Sequence, residues 1–330
     1  MQTRELGTTG MQITTVGFGA WAIGGSGWKY AWGGQDDAES IAAIRHAVES
    51  GVNWIDTAAV YGLGHSEEVV ARALADIPQA DRPYVFTKCG LVWDENNRTA
   101  EPQRVMNAAS VRREVEASLR RLNTERIDLY QVHWPAEDGT PLQEYWQTMA
   151  DLKAEGKVRA IGLSNHDVAQ LERAEKVAHV DSLQPPFSAI NRLAAGEIGW
   201  CADHDTGVIV YSPMQSGLLT GSFTAERAAS LPDDDWRAAA PDFTTRLDSN
   251  LALADALRPV AERHGVTVAA VAVAWTLAWR GATGAIAGAR SPEQVDGWLP
   301  AASLRLTDTD LDEIAAAIDR TGAGRGPARP

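Results

Sequence analysis

Gly17-Phe18-Gly19-Ala20-Trp21-Ala22 and the segment behind it, Ile23-Gly24-Gly25-Ser26-Gly27-Trp28-Lys29-Tyr30-Ala31-Trp32-Gly33-Gly34, decide between two folds. The first six residues match G-x-G-x-x-A, the turn of a doubly wound dinucleotide-binding sheet. In that fold a helix opens at once, and its N-terminus takes the pyrophosphate. Here the following residues form a loop rich in glycine and tryptophan, so no helix N-terminus is on hand and the fingerprint stands in the wrong context.

Working outward, short apolar runs read as strands: Val16-Gly17-Phe18, Val52-Asn53-Trp54-Ile55, Tyr84-Val85-Phe86-Thr87 and Ile127-Asp128-Leu129-Tyr130-Gln131-Val132. Four more follow, Ala160-Ile161-Gly162-Leu163, Ser182-Leu183-Gln184, Val208-Ile209-Val210-Tyr211 and Ala285-Ile286-Ala287. Helical patterns lie between them. Asp37 to Ser50 repeats Ile41, Ile44 and Val48 and stops at Gly51, a C′ residue. Ser110 reads as the N-cap of a helix with Val111, Val115, Leu119 and Leu122 on one face. Leu142 to Glu155 ends at Gly156, and Thr307 with Asp310 forms a capping-box pattern opening the last helix. Strands separated by helices predict an α/β fold, a single (β/α)8 TIM barrel over residues 1–330. Residues 2–15 read as a β-hairpin around Thr8-Thr9-Gly10 that plugs the barrel bottom. Ser212 to Ser249, with Pro213, Gly217, Gly221, Pro232 and Asp233-Asp234-Asp235, predicts a long functional loop after strand seven. Residues 321–330 read as a disordered tail.

The 330-residue chain carries a formal charge of −14, which argues against nucleic acid or an anionic membrane as partner but not against an anionic cofactor in a locally basic pocket. Two cysteines, Cys89 and Cys201, cannot build a disulfide framework and read as free thiols. Met1-Gln2-Thr3-Arg4-Glu5 lacks the apolar core of a secretory signal, and no apolar run is long enough to span a bilayer. The expected setting is the cytoplasm.

A barrel of this type builds its active site from the C-terminal ends of its strands. Asp56 and Tyr61 follow strand two, Lys88 ends strand three and His133 ends strand four. Ser164-Asn165, Gln184 and Tyr211 end strands five to seven, and Gly288 and Arg290 follow strand eight. A free tyrosine, with a pKa of about 10, is a poor proton donor at neutral pH. A neighbouring ammonium lowers that value, and a carboxylate keeps a buried lysine charged. A neutral histidine can donate a hydrogen bond to a carbonyl. Such a group delivers a proton to a carbonyl oxygen but has no electron source, so the hydride must come from a cofactor such as nicotinamide.

Three segments carry a resemblance: Asp56-Thr57-Ala58-Ala59-Val60-Tyr61-Gly62 with Gly64-His65-Ser66-Glu67, Thr87-Lys88, and Ile127 to Pro135. Gly156-Lys157-Val158-Arg159-Ala160-Ile161-Gly162-Leu163-Ser164-Asn165, Gln184-Pro185-Pro186, Tyr211-Ser212-Pro213 and Gly217-Leu218-Leu219-Thr220-Gly221 extend it along the chain. The sequence resembles the aldo-keto reductase superfamily, most closely its bacterial branch of general-stress and inositol-type reductases. The resemblance implies a reductase of aldehydes or ketones, reversible with the alcohols. Tyr61 would be the general acid, Lys88 its pKa-lowering neighbour, Asp56 the partner of Lys88 and His133 the orienter of the carbonyl. Ser164, Asn165 and Gln184 would hold the nicotinamide carboxamide, and Tyr211 would stack on the ring. Ser212, Pro213, Met214, Gly217 and Leu219 would fold over the pyrophosphate. Gly288, Arg290 and Gln294 would meet the adenosine end, where Arg290 favours the 2′-phosphate of NADP over NAD. Trp298 stands where the family often has asparagine, Phe187-Ser188 where Tyr-Asn is commoner, and His166 where an aromatic is usual.

Each residue also has a plainer reading. Asp56 and Lys88 can be a structural ion pair, Tyr61 a half-buried surface tyrosine, and Gln184 and Asn165 loop hydrogen-bonders; only their joint pattern points to catalysis. Of 12 tryptophans, Trp21, Trp28, Trp32, Trp93 and Trp134 are expected around the site, an aromatic wall suited to a small carbonyl, polyol or sugar substrate. Trp54 and Trp275 are expected in the core, and Cys89 as a small buried strand-end residue. Two other functions remain open: a nucleotide-binding regulatory module of the same fold with little turnover, and a metal-dependent hydrolase using Asp56, His65 and His133. No H-x-H or HExxH spacing supports a metal site.

Overall fold

The chain opens with β1 (Thr3–Glu5) and β2 (Gln12–Thr14), an antiparallel hairpin. Barrel strands β3 (Val16–Gly19), β4 (Trp54–Asp56) and β5 (Tyr84–Cys89) follow. A short ribbon, β6 (Leu91–Val92) with β7 (Gln103–Arg104), decorates the next loop. The remaining barrel strands are β8 (Ile127–Val132), β9 (Val158–Ser164), β10 (Ser182–Gln184), β11 (Gly207–Val210) and β12 (Ala282–Gly288). The eight barrel strands are parallel and close on themselves where Ala285 of β12 pairs with Val16 of β3. This is the (β/α)8 TIM barrel that the strand–helix alternation predicts. The computed structural model describes residues 1–232 and 235–330; Asp233-Asp234 of the expected acidic loop lie outside the described residues.

Helices α1 (Asp37–Glu49), α2 (His65–Leu74), α3 (Ala108–Leu122) and α4 (Leu142–Ala154) begin the outer ring. No helix opens behind Gly17-Phe18-Gly19: a single 3₁₀ turn, Ala22–Gly24, is followed by loop up to Asp37. Ser110 is not the cap of α3. Asn107 is, its side chain accepting from the Ser110 N–H at 3.0 Å, which starts the helix one turn earlier. The Thr307–Asp310 capping box forms as expected on the last helix, Asp308–Thr321.

The period-two alternation of strands fills the interior. Trp54, Phe86, Leu129, Ile209 and Ile286 point inward, and Leu6, Met11 and Ile13 of the hairpin segment pack beneath them as the bottom plug. Ile55, Tyr130 and Val132 face the helices instead. Gly17 has a packing role: a Cβ on it would lie inside the Trp54 indole, whose Nε1–H is fixed on Thr14 O at 2.7 Å. Gly17→Ala should therefore lower stability by about 1–3 kcal/mol through overpacking. An unchanged urea midpoint would contradict that packing role.

The expected disordered tail is a further correction. Ala323 is buried, Arg325 exchanges backbone hydrogen bonds with Ile190 and Arg192, and the Arg329 guanidinium pairs with Asp308 and Asp312. Glycine-rich composition predicted disorder, but Gly324 and Gly326 adopt positive φ where a Cβ would strike Ile190 and Arg192, so the glycines allow close docking.

Candidate active site

The alternation that buries Trp54, Phe86 and Leu129 places Asp56, Lys88 and Gln131 two residues further on, one layer nearer the mouth. Gly162 of β9 leaves room for Gln131, against whose Cγ an added Cβ would press. Lys88 Nζ donates to Asp56 Oδ1 at 2.5 Å and to Thr57 O at 2.8 Å, and lies 3.4 Å from Tyr61 Oη. Asp56 Oδ2 accepts from Gln184 Nε2 at 2.8 Å and Gln131 Nε2 at 3.4 Å. The side chains of Lys88 and Asp56 are 0% and 3% exposed, so the charges compensate each other away from water.

Tyr61 sits on a turn after β4. Its N–H bonds Ala58 O, and its carbonyl takes the Ser66 N–H at the start of α2. Gly62, at φ 63°, lies against the backbone of Gly24, where any Cβ would clash; this contact joins the loop after β3 to the tyrosine turn. The downward pull expected from Lys88 does not prevail at Tyr61. Burial first, then the Asp56 carboxylate, pushes the phenol well above its ordinary pKa, and the ammonium lies closer to Asp56 Oδ1 than to the phenol oxygen. Burial also lowers Lys88 from the usual lysine range against the opposing pull of Asp56. Burial, assisted by Lys88 and Arg104, holds His133 well below the ordinary imidazole value. A protonated phenol and a neutral imidazole thus face each other, rings 5.8 Å apart at 78°.

From this point a cleft of about 590 Å³ runs across the strand ends, a size ordinary for small-ligand sites. Asp56, Tyr61, His133, Ser164, Asn165, Gln184 and Tyr211 line it. Tyr211 Oη donates to Asn165 Oδ1 at 2.9 Å, Asn165 Nδ2 reaches His133 O at 3.0 Å, and Ser164 Oγ donates to Gln184 O at 2.8 Å. Ser212, Pro213, Met214, Gly217, Gly288, Arg290 and Gln294 continue the wall, joined by Arg227 and Arg237. Ser212, Gln215 and Ser216 hold positive φ without being glycine, a strain of about 1–3 kcal/mol each that clusters at ligand clamps. The amides and hydroxyl of Ser164, Asn165 and Gln184, together with the guanidinium groups of Arg227, Arg237 and Arg290 on the same cleft, fit a nicotinamide dinucleotide.

Not every expected residue faces the cleft. Leu219 is buried in the core below it, its N–H bonded to Met214 O. Trp93 does not line it either: it packs on the Trp28, Ala31, Ala58 and Val60 cluster, with the Arg121 guanidinium 6.0 Å from its ring. Trp21, Trp28, Trp32 and Trp134 do form the wall, with Trp21 stacked on Tyr61 at 6.2 Å and the Arg104 guanidinium 4.7 Å from the Trp134 ring centroid. Trp54 and Trp275 are fully buried, as expected. His65 bonds Asp37 at 2.8 Å away from this cleft, so the Asp56–His65–His133 ligand set is not assembled. Among the described residues no group of three or more His, Cys, Asp or Glu is placed to hold a metal ion.

Sequence reading missed Gln131 and Arg237. A glutamine at an inward position of an otherwise apolar strand was the available signal for the first. Arg237, paired with Asp235 at 2.6 Å and stacked over Trp32 at 4.6 Å, lies in a loop with no periodicity to mark it.

Comparisons with known proteins point to one family. The Aldo/keto reductase family profile matches residues 15–319. The chain is 35% identical to the aldo-keto reductase YhdN of Bacillus subtilis, over 97% of this chain and 95% of that one. It is 34% identical to the NADH-specific methylglyoxal reductase of Escherichia coli, over 97% and 100% of the two lengths. Among solved structures, a glycerol dehydrogenase from Gluconobacter oxydans is 36% identical, with a TM-score of 0.88 and coverage of 98% and 97%.

Proposed function

This chain belongs to the aldo/keto reductase family, and from that premise we propose that Tyr61 is its proton donor and NADPH its preferred cofactor. The chain is an NAD(P)H-dependent oxidoreductase acting on carbonyl compounds. When bound, a nicotinamide cofactor would supply the hydride that this chain's own side chains lack.

The chain's own residues do the rest. His133, held neutral, donates a hydrogen bond to the carbonyl oxygen and orients it. Tyr61, held protonated, passes its proton to that oxygen as negative charge develops there. Lys88, 3.4 Å from the phenol oxygen, stabilises the phenolate left behind, and Asp56 keeps Lys88 charged and in place. Alcohol oxidation reverses each transfer, with Tyr61 as phenolate base. Ser164, Asn165 and Gln184 would hold the carboxamide, and Tyr211, whose hydroxyl donates to Asn165 Oδ1, would lie against the ring. The observation that carries this reading is that Asp56, Tyr61 and His133, with Lys88 behind them, line the same cleft as Arg227, Arg237 and Arg290.

Arg290 at the far end supports NADPH over NADH, although the similar Escherichia coli reductase is named NADH-specific. The buried free thiols of Cys89 and Cys201 suit a reducing cytoplasm, and among the described residues no helix is long and apolar enough to cross a membrane. Titration of the purified protein with NADPH and NADH, read by tryptophan fluorescence, should show tighter binding of NADPH. Equal or weaker NADPH binding would overturn the preference, and binding of neither would overturn the cofactor reading.

A further inference from the structure

We propose that Gln35 limits the NADPH preference of this protein by competing, from the loop after β3, for the guanidinium that would take the 2′-phosphate. All three guanidinium nitrogens of Arg290 are engaged by that one loop. Nε donates to Gln35 Oε1 at 2.5 Å, Nη1 to Trp32 O at 3.4 Å, and Nη2 to Gly34 O. Gln35 Nε2 returns a hydrogen bond to Arg290 O at 3.0 Å, so the two residues are clasped reciprocally. The Arg290 N–H is in turn held by Gln294 Oε1 at 2.9 Å, which anchors its backbone.

A phosphate recognises a guanidinium through a pair of parallel N–H donors. Each such pair on Arg290 includes a nitrogen already bonded to residues 32–35. Each Nη carries a second N–H, so it is the side-on pair, Nε with Nη2, whose use by a 2′-phosphate displaces Gln35 from Nε, whereas a cofactor with a free 2′-hydroxyl leaves Gln35 in place. The same loop builds the substrate wall: Trp32 meets Trp21 edge-on at 5.3 Å, and Trp21 stacks on Tyr61. The choice of cofactor is thereby coupled to how tightly the aromatic wall is held beside the reacting carbonyl.

This inference rests on the reading that Arg290 faces the adenosine end, and the test separates the two. Dissociation constants for NADPH and NADH would be measured by fluorescence titration for the unaltered protein, Gln35→Ala, Gln35→Glu and Arg290→Ala. Gln35→Ala should raise NADPH affinity relative to NADH by about tenfold, the scale of one hydrogen bond to a charged group. Gln35→Glu, which holds the guanidinium more strongly and repels a phosphate, should lower the ratio; a folding defect cannot move it both ways. Acrylamide quenching should rise more with NADPH than with NADH in the unaltered protein, and that difference should vanish in Gln35→Ala. If Arg290→Ala lowers the ratio while both Gln35 variants leave it unchanged, competition by Gln35 is refuted and the Arg290 reading stands. If Arg290→Ala leaves the ratio unchanged, both are refuted.

Discussion

Tyr61→Phe should reduce the turnover of aldehyde reduction by about 10²–10⁴-fold, the range typical of a positioned general acid, with the dissociation constant for NADPH little changed. The substitution removes one oxygen atom. The ring stays stacked on Trp21 and edge-on to His133, so the wall keeps its shape. What disappears is the proton for the carbonyl oxygen and the site at which Lys88 can stabilise the resulting negative charge. The pH dependence follows from the direction of the Tyr61 shift. Burial and Asp56 raise its pKa, so the protonated form that reduction needs is fully present at and below neutral pH. Reduction should therefore be flat through neutrality. Oxidation of an alcohol, which needs the phenolate, should climb as pH rises. A Tyr61→Phe enzyme within tenfold of the parent would sink the assignment, and so would an oxidation rate that falls with rising pH.

Lys88→Met should have the largest effect on stability, about 3–5 kcal/mol, because it leaves one member of a buried ion pair without its counter-charge. Asp56 would retain only the amide donors of Gln184 and Gln131, which do not replace an ammonium at 2.5 Å. Activity should fall as well, since the Tyr61 phenolate loses its positive neighbour. Urea unfolding of Lys88→Met, Asp56→Asn and the double variant tests this directly. The double variant should be more stable than the sum of the single losses predicts, because the uncompensated charge is gone. Strict additivity would mean that the two side chains do not act as a pair.

The tetrad was legible because each member stands at or just beyond the C-terminal end of an apolar strand, a position that recurs when strands are parallel. Gln131 belongs to the same polar layer and was not recognised, since a strand-interior glutamine carries no mark of the face it will share. Trp93 misled for a related reason: proximity to a strand end in sequence does not determine on which side of the following loop a ring packs. At the tail, composition pointed to disorder, while the contacts of Arg325 and Arg329 with distant residues decided for order.

By itself the sequence determined the barrel and which polar residues stand at its strand ends, because alternation and helix punctuation are local properties of the chain. Only the tertiary structure decided the Tyr61 proton's direction of shift and the partners of Arg290. Both depend on burial and on groups far apart in sequence: Gln184 reaches Asp56 across 128 residues, and Gln35 reaches Arg290 across 255. Gly17 and Gly19 show the same division. They match the spacing of a phosphate-binding turn only formally, and in the fold the first lies against Trp54 and the second against Ile286. Their lack of a side chain serves the packing of the barrel interior, which is visible only once strands 37 and 267 residues apart come together.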